Sequence, residues 1–570
     1  MTFIYNDPKQ FPAEALAGFI AANERYVEAV HGGVVRSTTS PEGEVALVIG
    51  GGSGHYPAFP GWVGPGMAHG CVCGNVFASP SQSQVTAVSQ AADNGGGVLL
   101  MYGNYAGDVL HFGKAASIMR ADGLDVREVQ ISDDVASGTP DKHRDRRGIA
   151  GDLFVVKVTG GAIAAGYNLD EAERIGWHAN DSTRTLGVAF TGCTLPGAGE
   201  PLFTVPDGKF ALGLGIHGEP GISEHEHATA DELAALLVDG VLAEEPERRE
   251  GGYNGRVTVI VNGLGGVKYE EMFVLYHAVS TLLAERGLEV VAPVVGEQVT
   301  SLDMAGVSLT VAFLDEELEK FWLAGADTPA FRTGNVENQQ RRERPVAEAH
   351  AVELSAGAPE SAAQAERIAT VFTAFADAAI AAEADLGKLD SIAGDGDHGQ
   401  GMTLGSVAAR DAVRRALSAK AGAASLVDAA GKAWSEGAGG TSGALWGDAI
   451  CQAATHLDDG AAVSAETLGA AVVDAARNVA RDGGAIVGDK TMVDATEPFA
   501  DALEKELAGG AGLKEAWTRA AEVAREAAEA TAELAARKGR AKTHGDASLG
   551  HPDPGAVSFA LLMAAAAEAL

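Results

Sequence analysis

Short runs of β-branched and aliphatic residues recur through the first part of the chain. Each closes on glycine or asparagine and leads into a helix-compatible stretch. Val45–Ile49, Gly97–Tyr102, Leu153–Val158 and Arg256–Val261 are the clearest. Uninterrupted apolar runs of this length read as strands buried on both faces, as in a sheet covered by helices. An α/β architecture follows, with ligand-binding loops expected at the carboxyl ends of its strands. Near residue 335 the pattern changes. Thr333 to about Ser361 is polar, charged and aperiodic, which predicts a linker. Beyond it, Glu366–Ala382, Ser406–Leu417, Ala465–Val479 and Lys514–Ala536 carry small apolar residues at helical spacing, separated by glycine-rich breaks. The expected organisation is therefore an α/β unit over 1–332, a linker over 333–361 and an all-α unit over 362–570.

A chain of 570 residues is too long for one core, in keeping with that division. The net charge of −36 argues against nucleic acid as a partner, because no excess of Lys and Arg is available to neutralise phosphates. An anionic ligand then needs local help from metal ions or backbone amides. Cys71, Cys73, Cys193 and Cys451 are too few for a disulfide framework, and Cys71-x-Cys73 lacks the second half of a zinc site. No stretch approaches the ~20 uninterrupted apolar residues of a membrane helix. The N-terminal segment shows no basic stretch followed by an apolar run, so no secretory signal and no membrane partner are expected, and a cytoplasmic location is the default.

Candidate chemistry gathers in glycine-rich segments. Leu389–Met402, LDSIAGDGDHGQGM, holds Asp390, Asp395 and Asp397 between turn-forming glycines. Such a loop folds tightly enough to converge several carboxylates on a hard cation such as magnesium. An isolated D-x-D is more often a solvated acidic turn, and the spacing is not that of an EF-hand. Three further segments are Gly437–Gly443 (GAGGTSG), Gly488–Met492 (GDKTM) and Gly550–Gly555 (GHPDPG). Amides of a glycine loop at a helix N-terminus can hold phosphate, although none of these is a Walker A loop. Four such loops in one helical unit favour a nucleotide site over unrelated turns. In the α/β part, Gly50–His55 (GGGSGH) follows a strand, Gly103–Asp108 (GNYAGD) follows another, and Leu212–Gly221 embeds His217 between glycines. A lone histidine is more often structural than catalytic, and these turns leave both readings open.

Taken in order, these motifs resemble the dihydroxyacetone kinase family over nearly the whole chain, from Asn6-Asp7-Pro8 through GGGSGH, NYAGD, GIHGEPG, GDGDHG, GGTSG, GDKTM and GHPDPGA. The resemblance implies a multidomain protein. An α/β substrate-binding domain with two α/β subdomains is joined to an all-α eight-helix barrel that binds nucleotide. It implies an ATP-dependent kinase for a small ketose, dihydroxyacetone or erythrulose, with ATP as co-substrate and two Mg2+ ions held by Asp390, Asp395 and Asp397. His217 would trap the ketose carbonyl as a hemiaminal, and His55 and Asp108 would act as its catalytic partners. Gly52, Ser53 and Gly103 would complete the substrate site. His398, Gly440, Thr441, Ser442, Gly488, Asp489, Arg540, Asp553, Pro554 and Gly555 would contact nucleotide. Fusion of both domains resembles the family's ATP-using homodimers. The alternative is a non-enzymatic, ketose-sensing regulator of the same fold. Gly103 stands where the family commonly has lysine, which points to a ketose larger than three carbons.

Overall fold

The computed structural model describes residues 2–334, 354, 356–538 and 548–570. The chain divides into two compact units, Met1–Ala349 and His350–Leu570.

The first unit contains two sheets. After α1 (Phe11–Ala22), one is built from β1 (Val27–Val30), β2 (Gly33–Arg36), β3 (Ala46–Ser53), β4 (Gly70–Val76), β5 (Val98–Gly103) and β6 (Val126–Ile131), in the order β1-β2-β4-β3-β5-β6. β4, β3, β5 and β6 run parallel, with Ile49 opposite Met101. Alternate residues of the central strands enter different cores. Val48, Leu100 and Tyr102 pack with residues of α2 (Gln82–Ala92) and α3 (Ala106–Ala121). Leu47, Ile49, Leu99 and Met101 pack with residues of α4 (Asp152–Ala164) and α5 (Leu169–Asp181) on the other face. The period of two explains why these strands look continuously apolar: both faces are covered.

The second sheet comprises β7 (Thr183–Ala189), β8 (Lys209–Leu212), β9 (Ser223–Glu226), β10 (Arg256–Gly263), β11 (Glu289–Val290), β12 (Val294–Gly296) and β13 (Gly306–Leu314). Its order is β11-β10-β13-β7-β8-β9, with β12 also paired to β10. α6 (Ala230–Leu242) and α7 (Tyr269–Glu285) share its core. Two sheets with their own helices correspond to the expected pair of α/β subdomains.

Three sequence expectations need correction here. Leu153–Val158 is not a strand but the heart of α4, which is buried from Asp152 to Ile163. A helix pressed between α5, β5 and α8 (Glu316–Trp322) is apolar all round, so its sequence has neither an amphipathic stripe nor an alternation. The strand thought to end at Ile49 continues as β3 through Ser53, so the glycines extend the sheet instead of leaving it. The linker span is also shorter than expected at both ends. A short strand covers Arg332–Thr333, and a helix begins at Pro359, a residue suited to a first helical turn.

The second unit is helical. Among the described residues it has α9 (Pro359–Asp390), α10 (His398–Ser418), α11 (Ala423–Ala438), α12 (Gly440–Ala454), α13 (Ala465–Gly483), α14 (Val493–Ala508), α15 (Leu513–Ala530) and α16 (Pro554–Ala569). Each helix packs on the next and α16 returns to α9, closing a ring of eight. Aromatic side chains fill its interior. Trp434 and Trp446 stack at 5.0 Å, and Phe559 and Phe375 pack against Trp446. Gly439 and Gly440 both have φ of 60°, a backbone that side chains disfavour, and this allows the abrupt turn from α11 into α12.

Candidate active site

In the first unit the parallel pairing of β3 and β5 brings the segments after them, Gly54–His55 and Asn104–Asp108, to the same edge of the sheet. The β8–β9 loop carries His217, which is buried. Its Nδ1 lies 3.1 Å from Glu219 Oε1, and its backbone N–H donates to Glu219 Oε2 at 3.0 Å. Its Nε2 lies 3.0 Å from His55 Nε2. His55 Nδ1 lies 2.7 Å from the Thr300 carbonyl, which can only accept, so that nitrogen carries hydrogen. Burial, reinforced by the field of His217, lowers the His55 pKa to about 3 and keeps its ring neutral.

Glu219 is held below the usual carboxylate range. Burial alone would raise it, but His217 and then Arg147 outweigh that cost. Arg147 binds Asp134 Oδ2 through Nε and Nη2 at 3.0 and 2.7 Å, and its Nη1 lies 3.8 Å from Glu219. Aromatic rings wall the pair. Phe77 stacks on His55 at 5.0 Å, and Tyr105 meets His217 edge-on at 4.8 Å.

Asp108 is buried in the first turn of α3, close beyond Tyr105. Burial, with the charges of Asp133 and Asp108, pushes the Asp152 carboxyl far up. Gly103 ends β5, and a Cβ there would lie 3.3 Å from the Tyr105 ring. A Cβ at Gly52 would lie 2.8 Å from the Ala78 amide, so only glycine fits that strand. The Ser53 hydroxyl donates to the Gly74 carbonyl at 2.6 Å. Glu219, Arg147, Tyr105, Phe77 and Thr300 were not anticipated. Glu219 and Tyr105 left a signal in sequence, one two residues after the histidine that it anchors and the other inside the Gly103–Asp108 segment.

In the second unit α9 ends on Asp390 and α10 begins at His398, so the intervening turn presents its aspartates at one rim. Candidate ligand oxygens of Asp390, Asp395 and Asp397 all lie within 4.8 Å of one another. A Cβ at Gly394 would fall 2.3 Å from Asp390 Oδ1, so glycine is required beside that carboxylate. Burial and the neighbouring Asp390 push Asp397 up to about 8. Carboxylates crowded in this way repel one another, and the all-oxygen donor set suits a hard divalent cation.

His398 ties the remaining loops to this cluster. Its Nε2 lies 2.8 Å from Ser558 Oγ on α16 and its Nδ1 lies 3.4 Å from Ser442 Oγ on α12. The Ser558 hydroxyl donates to the Gly555 carbonyl, so it accepts from His398 Nε2. Burial lowers the His398 pKa. Asp553 caps α16 by accepting from Ala556 N at 2.8 Å, and burial, with Asp494 and Asp390 nearby, pushes its carboxyl up to about 7. A Cβ at Gly555 would lie 3.1 Å from Asp553 Oδ2 and 3.3 Å from Met492, so glycine permits close packing of the Pro554 turn. The Gly440 position is open, and Thr441 is exposed beside it.

Gly488 differs from expectation as a phosphate donor. Its amide donates to Asp494 Oδ1 at 2.6 Å, and Thr491 N donates to Asp494 Oδ2 at 2.7 Å. Asp489 likewise accepts from Ile486 N at 3.1 Å, so this loop is closed by its own carboxylates. Asp494 is a residue that sequence reasoning missed. Lys490 Nζ donates to the Leu534 carbonyl at 3.0 Å and to that of Ser548. Arg540 lies outside the described residues.

The Dak1 domain family matches residues 17–330 and the DAK2 domain family matches residues 392–568. An L-erythrulose 1-kinase of Mycolicibacterium smegmatis is 55% identical over 574 residues, spanning 100% of both chains. A D-erythrulose kinase of the same organism is 50% identical, spanning 98% of this chain and 97% of its own. The dihydroxyacetone kinase from C. freundii, solved in complex with AMP-PNP and Mg2+, matches with a TM-score of 0.53 at 31% identity over 100% of both chains. The chain belongs to the dihydroxyacetone kinase family, with its Dak1 and DAK2 domains in a single polypeptide.

Proposed function

We propose that this protein is a kinase that transfers the γ-phosphoryl group of ATP to a primary hydroxyl of erythrulose, captured as a hemiaminal on His217. The observation that carries the reading is the buried His55–His217–Glu219 array. Both rings are anchored through Nδ1, so one proton is shared between two facing Nε2 atoms. As the ketose enters, that proton passes by way of His55 to the carbonyl oxygen. The His217 Nε2 lone pair forms a bond to the carbonyl carbon as the C=O π bond breaks. The adduct is a neutral hydroxyl on an alkylated imidazolium, whose Nδ1–H stays on the Glu219 carboxylate. Only an electrophilic carbonyl accepts such a nitrogen, which selects ketoses over polyols.

Asp108 is the base in this reading. It takes the proton of the attacking hydroxyl as that oxygen bonds phosphorus and the bond to the β-phosphate oxygen breaks. Asp390, Asp395 and Asp397 would hold magnesium, two ions in this reading, and the metal would neutralise phosphate charge. Gly440, Thr441 and Ser442 with Asp553, Pro554 and Gly555 would cradle the nucleotide, joined through His398. The reading includes a homodimer and a cytoplasmic setting, the latter supported by four free cysteines. No helix among the described residues is long and apolar enough to cross a membrane. A ketose-sensing regulator would not need the aspartate cluster.

Erythrulose is preferred to dihydroxyacetone because Gly103 contributes no side chain beside Tyr105, leaving that wall short, and because similar chains are named for it. A coupled ATP-consumption assay with D-erythrulose, L-erythrulose and dihydroxyacetone, with and without magnesium, tests both levels. Absence of magnesium-dependent turnover with any ketose defeats the kinase reading. A higher kcat/KM for dihydroxyacetone defeats the substrate choice alone.

A further inference from the structure

We propose that Arg147 is a positioning residue for carbonyl capture: it keeps Glu219 ionised and in place, so that Glu219 holds the His217 proton on Nδ1 and leaves Nε2 to the ketose. The inference rests on the hemiaminal reading and deepens it.

Arg147 is locked before it reaches Glu219. Two of its nitrogens are committed to Asp134, and Nη2 also lies 3.4 Å from the Gly213 carbonyl. The remaining Nη1 faces Glu219 at 3.8 Å. The Gly215 backbone closes over this approach, since a Cβ there would lie 2.1 Å from Glu219 Oε2 and 2.8 Å from Arg147 Nη1. Glycine at this position therefore permits the approach of the cation to the carboxylate. The ionisable groups around Glu219 are His217, His55 through it, Arg147, Asp134, Tyr105 and Cys193. Arg147 is the one permanent cation among them.

Without that cation, two buried carboxylates, Asp134 and Glu219, share one region with no fixed positive charge, an arrangement relieved by protonating one of them. A protonated Glu219 is a donor. Its hydroxyl can give a hydrogen bond to His217 Nδ1, and the ring then keeps the shared hydrogen on Nε2 and cannot offer that lone pair to the carbonyl. Glu219 is acidic in the native arrangement partly because of Arg147. Removing Arg147 weakens that acidity and favours the inactive tautomer, which holds the same number of protons as the active array and so gains at every pH.

The test uses the full chain with MgATP and erythrulose, and [2-13C]dihydroxyacetone as an NMR probe of the tetrahedral carbon. In Arg147→Gln the KM for erythrulose rises by about tenfold or more with a smaller change in kcat, because capture is a binding event, and the tetrahedral signal fades. Arg147→Lys, which retains a cation, keeps KM and the signal near the wild-type values. In a Glu219→Gln background, whose amide carbonyl still accepts from Nδ1 but cannot take its proton, Arg147→Gln adds no further loss, a result readable even if Arg147→Gln alone fails to fold. An unchanged KM and signal in Arg147→Gln, or a further loss in the Glu219→Gln background, overturns the role of Arg147. A wild-type protein that phosphorylates ketoses with no tetrahedral carbon overturns the hemiaminal reading, and this inference with it.

Discussion

His55 and His217 confront each other through the same atom: their Nε2 nitrogens stand 3.0 Å apart, while each Nδ1 is already engaged, one by the Thr300 carbonyl and the other by Glu219. Two neutral rings held in this way would point lone pair at lone pair. The arrangement is satisfied when a single proton lies between them, and Glu219 fixes a hydrogen on the other nitrogen of His217. A nucleophile and a proton source are thus stored in one contact, sealed by Phe77 and Tyr105.

Replacing His217 with alanine removes both halves of that contact. The expected result is a fall in ketose kcat/KM of about 10²- to 10⁴-fold, the range that a positioned catalytic group contributes. Nucleotide affinity should not change, because the residues proposed to bind nucleotide belong to the other unit. Steady-state kinetics and ATP titration calorimetry check the two halves. An unchanged kcat/KM for the best ketose removes His217 from the mechanism.

The depressed pKa of His55 also has a stability consequence. Its folded pKa is about 3 against an ordinary value of 6.5, so the unfolded chain binds a proton between those values that the folded chain refuses. Stability therefore falls as pH drops through that window, by up to about 1.4 kcal/mol per pH unit for one proton. Urea denaturation of the wild-type protein and His55→Gln between pH 6.5 and 5 isolates the term, since that range lies above the ordinary titration of Glu219. The variant should show the shallower slope, and equal slopes would show that the His55 ring takes up its proton in the folded state.

Asp395 is buried within the acidic turn, and its replacement by asparagine keeps the shape while removing one charge from the proposed magnesium site. A metal ligand of this kind is expected to contribute about 3–5 kcal/mol to phosphoryl transfer, or roughly 10²- to 10⁴-fold in kcat. Ketose capture should be intact, as read by the [2-13C]dihydroxyacetone signal. The stabilisation that magnesium confers on the wild-type protein in a thermal melt should shrink in Asp395→Asn. If magnesium stabilises both proteins equally, the acidic turn is not where it binds.

Much of this was legible in sequence because the motifs are local. The glycine runs, the D-x-D turn and His217 all announce themselves within a few residues, and periodicity separates the α/β part from the helical ring. What sequence hid is non-local. Arg147 and Asp134 act on Glu219 from about 70 and 85 residues away, and neither lies in a motif. The α4 helix was misread as a strand because Leu153–Val158 is buried on every side, which erases the period that distinguishes the two structures. The Gly488 amide was expected to face phosphate because nothing nearby in sequence shows that Asp494 folds back to accept it.

Lys490 provides a last prediction, because its ammonium group joins parts of the helical unit that are distant in sequence. It sits with φ of 59°, in a left-handed turn, and sends Nζ to the carbonyls of Leu534 and Ser548. The GDKTM loop is thereby fastened to both of those segments. Burial lowers the lysine pKa, while the nearby Asp553 opposes that shift and favours the charged form. Lys490→Met fills similar volume but leaves two carbonyls without this donor, at about 1–3 kcal/mol for each group that stays buried. For a unit of this size that is roughly 2–4 °C of melting temperature per kcal/mol. The loop, once loosened, should position nucleotide poorly, so KM for ATP should rise while KM for the ketose holds. Differential scanning calorimetry and kinetics with each substrate varied separately distinguish the outcomes. A rise in ketose KM alone would place Lys490 in a different role from the one its two hydrogen bonds describe.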